Sequence, residues 1–292
     1  MFAIIGIVVV IGAVIGGFLM EKGPILVLVQ PSEFLIIGGA AIGTLLSANP
    51  VYVLKNIVSS LLAVLKGSKY SKERYINSLK MLFTLFGKAR KEGWAGIESD
   101  IEEPAKSTVF TKYPEFLANH HVRDFVCDTL RMAITGGSSA FDLDQMMDLD
   151  MEVHHNGETQ TVNALSTVAD SLPGLGIVAA VLGVVVTMSA LGGPPEELGR
   201  KVASALVGTF LGILLCYGVV GPLSANLSKL IADDHAFYYV MRVAMMSFIK
   251  GMSPLLAIEM ARRAIPEHLR PNFQEVEKAC RQKDEISAAA AA

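Results

Sequence analysis

The sequence predicts an all-α integral membrane protein with four membrane-spanning helices, a helical cytoplasmic domain between spans two and three, and a helical C-terminal tail. Two observations predict this class. Charged residues make up 18% of the 292 residues, against about 25% in soluble domains, and the mean hydropathy is positive, at +0.46. The charges are also unevenly placed, because they are missing from four windows and crowded elsewhere. Each window offers the roughly 20 apolar residues that a membrane-crossing helix needs.

The four windows are bounded by charged residues, and none has a charge near its centre. The first, Met1 to Met20, lacks the basic start and small-residue cleavage pattern of a secretory signal, so we expect a retained span. The second opens after Glu33. The boundary residues of all four windows are Glu21, Glu33, Lys55, Asp170, Glu196, Lys201 and Lys229.

The basic residues predict the orientation of the spans. Of the 25 lysines and arginines, only Lys22, Arg200 and Lys201 lie between spans one and two or between spans three and four. The other 22 flank or fill the long central segment and the tail, and Lys55 and Lys229 directly follow spans two and four. Because basic residues near the membrane mark its cytoplasmic side, both termini and the central segment are predicted to be cytoplasmic.

Glycines four residues apart place small residues on one face of three spans, which lets helices approach closely. This spacing is compatible with packing inside one subunit and with oligomerisation. The pairs are Gly12 and Gly16, Gly39 and Gly43, and Gly208 and Gly212.

The predicted organisation has five parts. Residues 1–54 form spans one and two, 55–170 the cytoplasmic helical domain, 171–228 spans three and four, and 229–287 the cytoplasmic C-terminal segment, with 288–292 a featureless poly-alanine run.

Helical spacing of apolar residues predicts the elements of the cytoplasmic part, and no strand is predicted. Residues 51–65 read as an amphipathic helix on the membrane surface, and 71–92 as a helix with Leu79 and Phe86 on its apolar stripe. Pro114 is expected to open a helix that ends near Gly136, and a last long helix runs from span four to Gly251.

Enzyme, metal and nucleic-acid functions find no support in the motifs. There is no Walker loop, HExxH or GxSxG pattern, and the three cysteines are far apart without metal-ligand spacing. His120–His121 and His154–His155 are adjacent pairs whose members point in different directions on a helix. A net charge of −3 gives no reason to expect nucleic acid. We therefore predict no enzymatic activity and no cofactor.

Two features could carry function. Asp170 and Pro173 stand at the mouth of span three, and Pro222 lies near the end of span four. These residues allow two interpretations. Either Asp170 or Ser171 caps the start of a helix with Pro173 in its first turn, or the residues form a gate for an ion. The charged run 88–92, followed by Glu98, reads either as a solvated face or as a docking surface.

Residues 172–181, 207–215 and the opening Gly16-Gly17 through Gln30-Pro31-Ser32-Glu33 resemble the MotA family. Members of that family are channel-forming stator subunits of the bacterial flagellar motor, in the inner membrane. The resemblance covers nearly the whole chain and is weakest over 56–87 and the last twenty residues. It implies a MotB partner, which is a single-span protein anchored to the cell wall, and an assembly of five copies around two MotB helices.

The resemblance also implies roles for individual residues. Arg90 and Glu98 match charges that face the rotor switch complex, and Asp150 matches a second acidic position where close relatives carry glutamate. The gate residues implied are Asp170, Pro173 and Pro222, and the ion-path residues implied are Ala180 and Thr209. Sodium-driven relatives tend to have threonine where Ala180 stands, so protons are the expected ion.

A proton path usually contains an intramembrane acid or histidine. The predicted spans offer only hydroxyls such as that of Thr209, so the titrating carboxylate is expected to come from the partner. Two alternatives remain open. One is an ExbB/TolQ-like proton-driven energiser of envelope transport, although such proteins typically have three spans, and the other is a non-conducting membrane scaffold.

Overall fold

The computed structural model describes residues 2–189 and 191–281, and every regular element in them is helical. The first eight helices are α1 (Phe2–Met20), α2 (Ile25–Leu28), α3 (Pro31–Ala48), α4 (Val51–Lys66), α5 (Lys72–Glu92), α6 (Ala95–Glu102), α7 (Pro114–Ala118) and α8 (His120–Thr135). The others are α9 (Ala140–Met188), α10 (Pro195–Leu215), α11 (Gly221–Ile249), α12 (Pro254–Ala264) and α13 (Phe273–Arg281). The predicted all-α class is therefore confirmed over the described residues.

Within these residues, four helical segments are long and apolar enough to cross a membrane. They are Phe2–Met20, Ile25–Ala48, Ala140–Met188 and Pro195–Ile249. The expectation of four spans is thus confirmed by length and composition. Helix α1 buries none of its residues within the chain, as befits a helix whose apolar side chains meet lipid or other subunits.

The contacts divide the chain into two compact units. The first, here called the span unit, contains the described residues of 1–68 and 157–231, and the second, the head unit, those of 69–156 and 232–281. Residues 55–68 and 157–170 thus group with the spans by their contacts, whereas the boundaries expected from the sequence stay a prediction.

The span unit contains two apolar clusters. One joins α3 to α9 and α10 through Ile37, Ala179 and Leu211. The other joins α4 to α9 and α11 through Val53 and Leu165, which are buried together. The predicted amphipathic helix after span two is confirmed as α4, and its position on the membrane surface stays a prediction.

The head unit has a single large apolar cluster built mainly from α5, α8, α11 and α12. Helix α5 begins at a serine cap, because the Ser71 hydroxyl accepts a hydrogen bond from the Arg74 amide at 3.2 Å. Leu79 and Phe86 are completely buried, as the apolar spacing predicts. Phe86 stacks on Phe248 of α11 with ring centroids 4.3 Å apart.

Two predicted helices differ from the structure in their continuity. A helix does begin at Pro114 and one does end next to Gly136, but the segment is divided into α7 and α8, because the Asn119 side chain caps α8 by accepting a hydrogen bond from the Val122 amide. The helix of span three was expected to begin near Pro173, but α9 runs unbroken from Ala140 to Met188, and where it enters the membrane stays a prediction. The long helix predicted to leave span four is confirmed as α11. The poly-alanine run lies outside the described residues.

Candidate functional site

Helices α9 and α10 touch through glycines, and this contact positions two of the predicted ion-path residues. A Cβ added to Gly212 would come 2.5 Å from the Leu172 carbonyl oxygen, and one added to Gly176 would come 2.8 Å from the Gly208 carbonyl oxygen. No side chain fits at such distances, so glycine is required for this approach. Ala180 and Thr209 flank this contact, and both are half-buried. Both residues therefore border the contact between α9 and α10.

The glycine pairs divide between two kinds of surroundings. Gly208 and Gly212 serve packing inside the chain, whereas the pairs in α1 and α3 have open space where a Cβ would stand. The residues with open space are Gly12, Gly16, Gly39 and Gly43.

Pro173 lies inside α9, and the interpretation of Pro173 as a first-turn residue was wrong. Proline lacks an amide hydrogen, so the Ala169 carbonyl loses its usual helical donor at this point. Asp170 is exposed on the preceding turn and does not begin the helix. Ser171 does not cap it either, because its hydroxyl donates to the Val168 carbonyl at 2.7 Å. The site is a weakened turn inside a continuous helix.

Pro222 lies just after a π-helical turn at Cys216–Val220, and the chain continues as α11 without ending there. The Gly221 amide bonds to the Cys216 carbonyl, five residues back. A wide turn of this kind is a common adjustment next to proline or at functional sites. Pro222 itself is exposed.

Glu33 is the residue that sequence reasoning missed. It lies in the first turn of α3, only 4% exposed, so a carboxyl group does lie inside the second span. A Cβ added to Gly208 would come 2.5 Å from its Oε2 atom. The expectation concerned charges near the centres of the spans, and Glu33 lies at the edge of one, in the first turn of α3. An acidic residue at the edge of an apolar window looks like the end of a membrane span, so the sequence did not indicate that Glu33 is buried.

Arg90 and Glu98 lie at the junction of α5 and α6 in the head unit. Arg90 is in the last turn of α5, Glu98 is in the first turn of α6, and both are exposed. The turn between the helices contains Gly93 with φ +77°, a conformation that favours glycine. Neither Arg90 nor Glu98 forms an ion pair with any described residue.

Polar and aromatic contacts within the head unit support the junction of α5 and α6. Lys88 pairs with the buried Asp100, 2.8 Å from Nζ to Oδ2, and Asp100 also accepts a 2.6 Å hydrogen bond from the Ser107 hydroxyl. Trp94 packs edge-on against Phe248, with ring centroids 5.5 Å apart.

Asp150 is exposed on α9, and in the sequence it lies well after the α5–α6 junction that carries Arg90 and Glu98. Arg242 of α11 pairs with Asp144 at 2.8 Å and with Asp148. These pairs fasten the acidic segment of α9 to α11, and Asp150 takes no part in them.

A second cluster that the sequence did not reveal surrounds Asp234 in the head unit. Asp234 is buried and lies 2.8 Å from Lys69 Nζ and 3.1 Å from His154 Nε2, and Tyr70 donates a hydrogen bond to it. The His154 ring also lies 5.3 Å from that of His121, so the two predicted histidine pairs meet through one member each. The cluster ties three separate chain segments together.

The three cysteines are buried free thiols. Burial raises the pKa of the Cys127 thiol to about 12 and that of Cys280 to about 11. Thiols in such surroundings are poor nucleophiles, because only the thiolate reacts.

Comparison with known proteins identifies the family. Residues 4–93 match the motility protein A N-terminal family, and residues 117–235 match the MotA/TolQ/ExbB proton channel family. The chain is 38% identical over 278 residues to the motility protein A of Salmonella typhimurium and to that of Escherichia coli, covering 95% of this chain and 94% of each relative. Chemotaxis protein LafT of Vibrio parahaemolyticus is 34% identical over 274 residues, or 94% of this chain and 96% of that protein.

Solved structures share the fold. A chain of the C. jejuni MotAB structure matches with a TM-score of 0.75 and 20% identity, over 91% of this chain and 95% of that one. A chain of the MotAB stator complex from Bacillus subtilis matches with a TM-score of 0.72 and 23% identity, over 95% and 98%. From sequence similarity over nearly its whole length, the chain belongs to the motility protein A family, within the wider MotA/TolQ/ExbB proton channel family.

Proposed function

We propose that this chain is a stator subunit of the bacterial flagellar motor. With a MotB-like, wall-anchored partner it forms a proton channel in the inner membrane and converts proton flow into torque on the rotor. In this proposal both termini and residues 55–170 lie in the cytoplasm. Membership in the motility protein A family supports the proposal, as does the fold shared with the chains of the MotAB structures.

The glycine contact between α9 and α10 is the observation that carries the proposal. Ala180 and Thr209 border this contact, and the weakened turn at Pro173 and the π turn before Pro222 lie further along the same two helices. An ion path needs walls that can change packing as protons bind and leave. Two helices that touch through backbone atoms and contain proline-disturbed turns meet that need.

An assembly of several copies around the partner is supported by the surface of the span unit. Helix α1 buries none of its residues within the chain, and Gly12, Gly16, Gly39 and Gly43 have open space around them. Small residues on an open helical face let a neighbouring helix approach closely. We propose five copies around two partner helices.

Protons are the proposed ion, because the path residues offer few oxygen ligands. Sodium must replace its shell of water oxygens with protein oxygens. Ala180 supplies none from its side chain, so of these two path residues only Thr209 offers a side-chain oxygen. The proton-binding carboxylate at the centre of the path is proposed to come from the partner.

Arg90 and Glu98 are proposed to contact the rotor switch complex. Their exposure on a braced junction supports this role, since a rigid support transmits force. One proton crossing 100 mV supplies about 2.3 kcal/mol. A surface ion pair is worth only about 0–1 kcal/mol, so such contacts can be made and broken at every step.

An ExbB/TolQ-like energiser is the second candidate function, because the family matched over 117–235 includes those proteins. The separate match of 4–93 to the motility protein A N-terminal family, together with four spans, favours the stator.

Reconstitution and gene deletion test the proposal. The chain, co-purified with the single-span protein encoded beside it and placed in liposomes, should admit protons when a potential is applied, whereas the chain alone should not. Deleting the gene should abolish swimming and leave flagellar filaments in place. Normal swimming with impaired envelope transport would favour the energiser, and normal behaviour in both respects without proton flux would favour a scaffold.

A further inference from the structure

One carboxyl oxygen of Glu33, Oε2, is buried without a partner. The residue is 4% exposed, and its Oε2 atom has no hydrogen-bond partner among the described residues. Leaving a polar atom buried and unpaired destabilises the fold, and an apolar residue would avoid that cost. Stability therefore gives no reason for an acid at this position.

The surroundings of the carboxyl group belong to the proposed ion path. The position that a Cβ on Gly208 would take lies 2.5 Å from Glu33 Oε2, 2.9 Å from the Ala179 Cβ and 3.2 Å from the Ala180 amide nitrogen. The carboxyl group thus occupies the space that the missing side chain of Gly208 leaves open. It reaches the contact between α9 and α10 at the level of Ala180 and Thr209.

Such a site accepts a neutral acid far more readily than a charged one. A carboxylate without a cation or donor is expensive in apolar surroundings, whereas a protonated carboxyl group is not. Glu33 lies within one turn of the start of α3, and Pro31 and Ser32 just before it are exposed. The group therefore lies between an exposed helix end and the interior of the path.

We propose that Glu33 is a proton-binding site of this subunit, on the extracytoplasmic side of the ion path. The inference rests on the proposed function. The Glu33 carboxylate takes a proton from the outside, becoming a neutral acid beside Gly208 and Ala180. It then gives that proton to the partner's carboxylate and returns to its starting form, so the proton count balances. Glu33 is a relay residue, and the partner's group remains the central one.

Two variants and a matched control test the inference in the complex with the partner. Glu33→Gln keeps the shape of the side chain and cannot exchange a proton, and Glu33→Asp can exchange one from a shorter side chain. Glu21→Gln removes an exposed acid from the segment before α3. We expect Glu33→Gln to lower proton flux in liposomes about tenfold or more, Glu33→Asp to restore part of it, and Glu21→Gln to leave it unchanged.

Infrared spectroscopy of the same complexes separates this inference from the proposed function. The native complex should show a protonated-carboxyl C=O band that shifts on ¹³C-glutamate labelling, titrates with pH, and disappears in Glu33→Gln. If Glu33→Gln conducts like the native complex, the inference is overturned and the channel stands. If the native complex conducts no protons, the channel is overturned. If Glu33→Gln fails to assemble, the labelled band in native protein decides, and its absence overturns the inference.

Discussion

Lys88 and Asp100 form an ion pair, with 2.8 Å between Nζ and Oδ2, that joins the helix carrying Arg90 to the helix carrying Glu98. The Asp100 side chain is 4% exposed and that of Lys88 29% exposed, so the pair is partly shielded from water. The two helices whose exposed charges are proposed to face the rotor are therefore joined by a part-buried contact of opposite charges.

Breaking this pair should loosen the junction. Asp100→Asn leaves the Lys88 charge without its counter-charge, and we expect the head unit to lose about 1–3 kcal/mol of unfolding free energy. Chemical denaturation followed by Trp94 fluorescence measures the loss, because Trp94 lies in the turn between these helices. The control is Glu103→Gln, which breaks an exposed pair with Lys106 and should cost about 0–1 kcal/mol. If both variants lost the same unfolding free energy, the Lys88–Asp100 pair would contribute no more to stability than an exposed pair.

Reversing Arg90 and Glu98 together, to Glu and Arg, should abolish swimming. Both side chains are exposed and form no ion pair with a described residue, so their reversal should leave membrane insertion and association with the partner intact. Motility tracking and co-purification measure the two effects separately. Reversing the exposed pair Glu103 and Lys106 is the control and should preserve swimming. Loss of association on reversing Arg90 and Glu98 would show that these charges are structural.

Pro173→Ala should stabilise α9 and impair rotation. An interior proline costs a helix about 3 kcal/mol or more, and alanine restores the hydrogen bond to the Ala169 carbonyl. We expect thermal stability to stay the same or rise while motor torque falls, as measured on tethered cells across loads. Pro254→Ala, at the first position of α12, is the control, since proline is harmless there. Unchanged torque would rule out a gating role for this turn.

Gly212→Ala should separate α9 from α10. The new methyl group would stand 2.5 Å from the Leu172 carbonyl oxygen, so the helices must move apart at a cost of about 1–3 kcal/mol. Thermal stability in detergent and yield of the assembled complex report the effect. Gly199→Ala in the same helix meets open space and should be tolerated. A stable Gly212→Ala complex with native proton flux would contradict this close contact.

Acid should weaken the C-terminal part of the head unit through Glu259. Hydrogen bonds from Arg262, with support from Arg263, lower the pKa of Glu259 from 4.5 to about 2. A lowered pKa stabilises the fold above the unfolded value of 4.5, and this contribution is lost as the pH falls from 4.5 towards 2. Denaturation between pH 3 and 7 should show a shallower pH dependence for Glu259→Gln than for native protein. Identical slopes would contradict the assignment.

The helices and the four spans could be predicted from the sequence because apolar spacing and apolar length are local properties. Leu79 and Phe86 are buried where the spacing puts them, and α11 runs to Ile249 as expected. Pro173 was misjudged because local rules place proline at helix starts, whereas contacts along the whole of α9 keep this helix continuous.

The polar contacts could not be predicted, because each joins residues far apart in the chain. Glu33 meets Gly208 across helices, and Asp234 meets Lys69 and His154 from separate segments. Only the folded packing shows that the acid at the edge of an apolar window lies inside. The roles expected for Asp170, Asp150 and Thr209 rest on family resemblance and stay predictions.

The π turn at Cys216–Val220 takes up about one residue more than an ordinary α turn would. Side chains on the same helix face before and after this turn are therefore separated in the sequence by about one residue more than regular α-helical spacing would give. Removing one residue from 216–220 should turn the bulge into a regular turn and leave the two flanking faces in phase. Removing one residue from the regular part of α10 should rotate one face by about 100°. Deletion scanning through this segment would thus find one short stretch in which the protein tolerates a shorter chain.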